Sequence, residues 1–419
     1  MKRKSIPFYL AVFALAFFVA CSPTDKKSVK STNQNVNMEK GTYGYDVAFL
    51  AKNNIETVEL EDENSGAKVL VAPGWQGRVM TSSAEGNEGA SFGWINYGFI
   101  EKGEVSGQFN PVGGEERFWL GPEGGPFSVY FKPGDEQVFS NWKVPAELDT
   151  QPFEVVEKTP AKVSFKSQFS LVNATGTTLE VGVNRTVRLL SKPEAENVLK
   201  LSLDSSLNFV AFETVNTLKN AGETTWNEKN GFLSVWLLCM FNPSEQGVVF
   251  IPFREGEETV LGKKVTDDYF GKVPEDRLVV KENRLFFKID GKFRSKIGIS
   301  PERALPFCGS YDAGNRVLTL LQYSQPQEPG RYVNSKWGGQ DDPLKGDVVN
   351  SYNDGPADDG KVMGPFYEIE SSSPAALLLP GHEITHTQRI FHISGEEARL
   401  NEITFNLFGI TLNEIKTVF

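Results

Sequence analysis

Residues 161–172 alternate without a break in sense: Val163, Phe165, Phe169 and Leu171 are apolar, and Ser, Lys and Gln fill the places between. A period of two marks a strand with one buried face, and it excludes a helix. The pattern returns in residues 178–190, in 199–205 through Leu199, Leu201 and Leu203, and in 277–289. Shorter runs at 57–60, 67–72 and 77–82 are rich in Val, Leu and Thr and are bounded by Gly, Pro, Asn or Asp. Residues 316–323, 365–371, 375–379 and 382–393 complete the series. Aromatics at 12% and 39 Gly supply strand formers and turn points. Only residues 192–198, with Pro193 tolerated at a first helical position, suggest a helical turn. About 20 strands at ~5–6 residues each predict an all-β chain. No linker and no fixed repeat interrupts residues 42–419, so a single large antiparallel β-sandwich is expected there. Two adjacent β-domains divided near Lys192 are the other arrangement.

The amino end has a separate character. Lys2, Arg3 and Lys4 precede the apolar run 6–20, which is shorter than the ~20 residues of a membrane span. Ala20-Cys21 resembles the lipobox of bacterial lipoproteins. That resemblance implies a signal peptide at 1–20, lipid on Cys21 and a polar tether at 21–41. Ser22 after the Cys implies the outer membrane of a bacterial envelope, with the membrane reached through the lipid alone.

The chain carries a formal charge of −11. That argues against nucleic acid as a partner, because duplex binding rests on Lys and Arg neutralising phosphates. Three His and three Cys leave little material for a His/Cys zinc site. Cys239 and Cys308 lie in apolar surroundings and read as two separate buried thiols, although an oxidising compartment would permit a disulfide. The segment His382-Glu383-Ile384-Thr385-His386 matches the HExxH pattern of zinc proteases. Its β-branched context favours a strand, on which the two His would stand about 13 Å apart, too far to share one metal. His386 and His392 are left as lone acids or hydrogen-bond donors.

Residues 334–360 are the most unusual stretch. They hold Asp341, Asp342, Asp347, Asp354, Asp358 and Asp359 beside Asn350, Asn353, Trp337 and Tyr352. Planar amides and carboxylates satisfy sugar hydroxyls, and a Trp face suits the apolar side of a pyranose. Dense Asp also suits Ca²⁺, which takes 6–8 oxygen ligands, although the spacing is not that of an EF-hand. In 110–125, Gly113-Gly114 would let backbone approach a ligand, and Glu115, Glu116 and Arg117 would orient hydroxyls ahead of Trp119. Glu368 and Glu370 sit two apart on an expected strand and share a face, with Cα atoms roughly 6.6 Å apart. Paired carboxylates beside a sugar serve as acid and base.

Three islands occur in a telling order: the 66–80 run ending in Gly77-Arg78-Val79-Met80, then Val215-Asn216-Thr217-Leu218, then Tyr367-Glu368-Ile369-Glu370 with Pro380-Gly381 behind it. Together they resemble the aldose (galactose) mutarotase-like superfamily. The resemblance implies a β-supersandwich with a sugar cleft, a basic residue at Arg78 reaching that cleft, and the family's Glu at Glu370 or Glu368. Its mutarotases also use mid-chain His residues, and this chain has none before His382. The expectation is a carbohydrate-processing lipoprotein of epimerase, hydrolase or lyase type, or a non-catalytic carbohydrate binder. The expected cleft holds Glu370, Glu368, Arg78, Glu116, Arg117, Trp119, Trp337, Asp342, Asn353, Asp354 and His386.

Overall fold

The long alternating segments pair with one another. Strand Lys162–Val172 runs antiparallel to Thr178–Leu189, and Thr178–Leu189 to Asn208–Asn220. Glu383–Ser394 then joins Asn208–Asn220 along twelve residues. The computed structural model describes residue 1 and residues 38–327, 329–357 and 360–419. The expected signal peptide, Cys21, most of the tether, Asp358 and Asp359 lie outside the described residues. Residues Met38–Phe419 form one unit. No division falls at Lys192, since the strands on either side of it are neighbours in one sheet.

Ten strands make the larger sheet. From one edge they are Leu278–Val280, Arg284–Lys288, Gly247–Pro252, Phe307–Asp312 and Val317–Tyr323. Glu383–Ser394, Asn208–Asn220, Thr178–Leu189, Lys162–Val172 and Glu154–Thr159 follow. The smaller sheet has five strands, in the order Ser295–Ile299, Val349–Asn353, Tyr367–Ser372, Ser234–Phe241 and Arg117–Gly121. A three-stranded sheet of Val58–Asp62, Ala67–Ala72 and Arg78–Ser83 completes the set. Every ladder between the named strands is antiparallel. The two large sheets pack face to face over one apolar core that includes Leu237, Ile369, Val183, Phe212 and Ile390.

Four readings need correction. Residues 199–205 are not a strand: a helix, Lys192–Leu199, ends there, opened by a capping box between Ser191 and Glu194 and closed by Lys200 at φ 56°. Leu199 and Leu203 point into the core under the last helices, so their spacing came from packing after a turn. Residues 277–289 fold into two strands around a turn at 281–283. Residues 375–379 make a single bridge, Leu233 to Ala376. Helices Tyr43–Lys52, Glu397–Phe408 and Leu412–Lys416 stand where no helix is expected. Glu397–Phe408 places Leu400 and Ile403 at helical spacing and stops at Gly409, φ 63°. It covers the outer face of the larger sheet beside Phe250 and Phe391.

Candidate functional site

The strand pleat divides the five-stranded sheet into two chemistries. Leu237, Cys239, Ile369 and Ser371 face the larger sheet, where Gln388 Nε2 reaches Cys239 Sγ at 3.1 Å and Ser371 Oγ meets His386 Nε2 at 2.8 Å. The registers Trp119–Trp236, Leu238–Glu370–Asn350 and Met240–Glu368–Tyr352–Lys296 put those residues on the other face. A cavity of about 510 Å³ opens there, lined in part by Trp236, Tyr269, Lys296, Asp341, Asp342 and Asn350. Residues 334–347 form its wall, so the acid-rich loop and the Glu370 strand meet at one place.

Glu370 lies beneath two of the lining residues, Trp236 and Lys296, and is itself buried. Its Oε2 accepts from Trp236 Nε1 at 2.8 Å and from Lys296 Nζ at 2.9 Å, while its buried Oε1 has no partner. Lys296 also sits 5.2 Å from the Trp236 ring and 5.6 Å from the Tyr269 ring, within cation–π range. Tyr269 donates its hydroxyl to Asp347 Oδ2 at 2.5 Å, and Asn350 Nδ2 reaches the Tyr269 oxygen at 3.1 Å. Burial pushes the Asp347 carboxyl up.

Glu368 is the other carboxyl on this face. Arg117 Nη2 is 3.6 Å from its Oε1, too long for a tight ion pair, and the guanidinium lies 3.8 Å over the Trp119 ring. Burial first, and the Glu370 charge second, push the Glu368 carboxyl up to about 8. The folded protein therefore keeps a proton that the unfolded chain gives up above about 4.5. Stability against urea is expected to fall as pH rises from about 4.5 to about 8, because the native state binds more protons in that window. Glu368→Gln removes this dependence and is expected to gain on the order of a few kcal/mol relative to wild type at pH 9, since each tenfold difference in proton affinity between the folded and unfolded chains is worth ~1.4 kcal/mol. Parallel urea curves for the two proteins at pH 5 and pH 9, with no change in their difference, would count against the protonated carboxyl.

The remaining expected residues separate by the same pleat. Glu116 precedes Arg117 and so points the other way, into the interior. There Arg185 Nη2 bonds it at 2.7 Å, Gln388 Nε2 at 2.7 Å and Thr214 Oγ1 at 2.9 Å. His386 is in the same interior layer, between Ser371 and Ser324, and burial pulls its imidazole down to about 3. Its strand, Glu383–Ser394, excludes the helical geometry of a zinc protease. Arg78 is buried and donates to the Gly113 carbonyl at 2.8 Å. Gly113 and Gly114 serve this packing: a Cβ on Gly114, φ 115°, would lie 2.6 Å from Arg78 Cδ. The expected backbone approach is thus to a protein side chain.

Trp119 is 3% exposed, roofed by Phe109, Tyr130 and Trp142, with Nε1 bonded to the Leu148 carbonyl at 3.0 Å. Asn353 faces inward and holds the 291–293 turn, and Asp354 accepts from Tyr352 and from the Gly364 N–H. Asp342 stays at the cavity, where its Oδ1 caps Leu344 N–H. Asp342, Asp347 and Asp354 of the loop are each engaged by protein partners, and among the described residues no three His, Cys, Asp or Glu side chains converge as a cation would require. Cys239 and Cys308 are free and buried. The sequence reading missed Trp236, Lys296 and Tyr269. Trp236 hides in the unbroken apolar run Ser234–Phe241, whose eight residues are all buried, so no alternation marks its outward face.

Fold and site together define an all-β sandwich protein with a polar cavity on the outer face of its smaller sheet. The chain belongs to a family of unknown function, DUF6786, whose family model matches residues 41–419. No curated protein matches it. Galactose mutarotase-like proteins are among the similar solved structures. The one from Lactobacillus casei is 12% identical and covers 80% of this chain and 100% of its own, with a TM-score of 0.46. Slr1438 protein from Synechocystis is 13% identical and covers 82% and 96%, with a TM-score of 0.48. A putative mutarotase from Salmonella typhimurium is 12% identical and covers 82% and 91%, with a TM-score of 0.44.

Proposed function

We propose that this protein processes carbohydrate, with the sugar bound in the cavity over Trp236, Lys296 and Glu370. The observation that carries the reading is the carboxyl pair of Glu368 and Glu370 on one face of one strand, with Glu370 bonded to Trp236 and Lys296, which line a cavity walled by amides, acids and lysines. One carboxyl is held protonated by burial, and the other has its charge balanced by Lys296. Such a pair divides acid and base work between two environments. The unpartnered Oε1 of Glu370 is the acceptor, and Glu368 is the donor. Trp236 and Tyr269 offer faces for a pyranose, while Asn350, Gln340 and Asp342 offer hydroxyl partners. Epimerase, hydrolase and lyase chemistry all use this division of roles.

A non-catalytic sugar binder is the second reading. Glu370 is 1% exposed beneath Lys296, which favours a structural counter-ion over a group that meets substrate. Turnover tests on Glu370→Gln separate the two.

The cellular setting is part of the same proposal: a lipoprotein of a bacterial envelope, anchored through Cys21 at the outer membrane. Cys21→Ala is expected to leave the precursor unprocessed or release the protein from the membrane fraction. A variant that remains in that fraction at the normal mature mass counts against lipidation.

A further inference from the structure

A second depression of about 580 Å³ lies across the 334–340 loop from the cavity, lined in part by Gln108, Phe131, Lys132, Asn141, Trp142 and Ser170. Trp337 separates the two. Its neighbours Lys336, Gly339 and Gln340 line the cavity, while its ring meets Phe131 edge-on at 5.2 Å and stacks on Trp142 at 6.4 Å and 21°. Phe139 stacks on Trp142 at 6.0 Å and 15° and is 64% exposed. The indole Nε1 of Trp142, itself 7% exposed, has no partner.

The partition is held firmly. Gln137 Oε1 accepts from Gly125 N at 2.8 Å and from Gly338 N at 2.7 Å, which ties the loop to the Gly124-Gly125 turn. A Cβ on Gly124 would come within 2.4 Å of the Lys336 carbonyl, so only glycine lets the loop seat this closely. Both depressions therefore adjoin one fixed strip that presents Trp337, 36% exposed, with Phe139 as a second exposed ring on the far side of the buried Trp142. Exposed aromatic faces lose little entropy on binding and suit the apolar faces of successive pyranose rings. Gln108, Lys132, Asn141 and Ser170 beside them supply hydroxyl partners. A lone sugar in the cavity has no use for this second surface.

We infer that the Phe139–Trp142–Trp337 groove is a second glycan subsite, so that the substrate is an oligosaccharide or polysaccharide chain passing over Trp337. The inference rests on the sugar reading of the cavity. The test is calorimetric binding of glucose, xylose and mannose and of their β-1,4-linked ladders up to six units, with α-1,4-linked glucose oligomers as a further series. The wild type is compared with Trp337→Ala and Phe139→Ala, both confirmed as folded by their melting curves. Affinity is expected to rise at least tenfold from one unit to four or more in a matching series. Each variant should lose most of that gain, with its own single-unit affinity as the reference. Single units that bind with no gain on lengthening, or a gain unaffected by either variant, would overturn the subsite and leave the cavity reading standing. An equal loss at every length would also overturn it, because Trp337 would then belong to the cavity alone. No binding by any series would bring down the sugar reading, and the subsite with it.

Discussion

Glu370→Gln is expected to lower turnover of a bound glycan by about a thousandfold or more, with its affinity changed by less than about tenfold, the pattern of a lost acid–base group rather than a lost contact. Gln keeps the shape and can still accept from Trp236 Nε1, which bonds the carboxylate at 2.8 Å in the wild type. What it loses is the charge that Lys296 balances at 2.9 Å. The measurement is turnover of the tightest-binding oligosaccharide, followed by NMR at saturating and subsaturating concentration. A wild type that binds and never converts the sugar, together with a variant that only binds more weakly, is the outcome the binder predicts.

Glu116→Ala is expected to cost about 3–5 kcal/mol of folding stability, because it strands a charge in the interior. Arg185 and Glu116 are both fully buried, and three further polar partners converge on them: Thr214, Gln388 and, through Arg185, Asn216. Removing the carboxylate leaves the guanidinium with the Gly77 carbonyl and Asn216. The double variant Glu116→Ala with Arg185→Met should recover part of the loss, since both buried charges are then gone. Urea unfolding of the two variants checks this. A single-variant cost under about 1 kcal/mol would mean that the network between the sheets is wetter than its geometry implies.

The sequence read best where one face of a strand is covered and the other is wet. Lys162–Val172 and Thr178–Leu189 carry their burial pattern openly, because polar and apolar residues alternate along them. It read worst where both faces are covered. Ser234–Phe241 is buried from end to end, and so is Tyr367–Ser372, so Trp236 was invisible and the two Glu were found by their two-residue spacing and by the mutarotase-like resemblance. Arg117 and Glu116 were read as one cluster, although adjacent strand residues point to opposite faces. Lys296 was missed because nothing local distinguishes a lysine beneath a cavity from one at a surface. Its role comes from pairing Ser295–Ile299 with Val349–Asn353, a strand far along the chain.

Sugar is proposed to bind over Trp236, Lys296 and Glu370. A crystal structure of the Glu370→Gln protein soaked with the tightest-binding oligosaccharide tests it most directly. A pyranose ring is expected in contact with the Trp236 or Tyr269 face, within hydrogen-bond distance of Lys296 and of the residue at position 370. A sugar bound only elsewhere, with the Trp236 cavity filled by solvent, would contradict it.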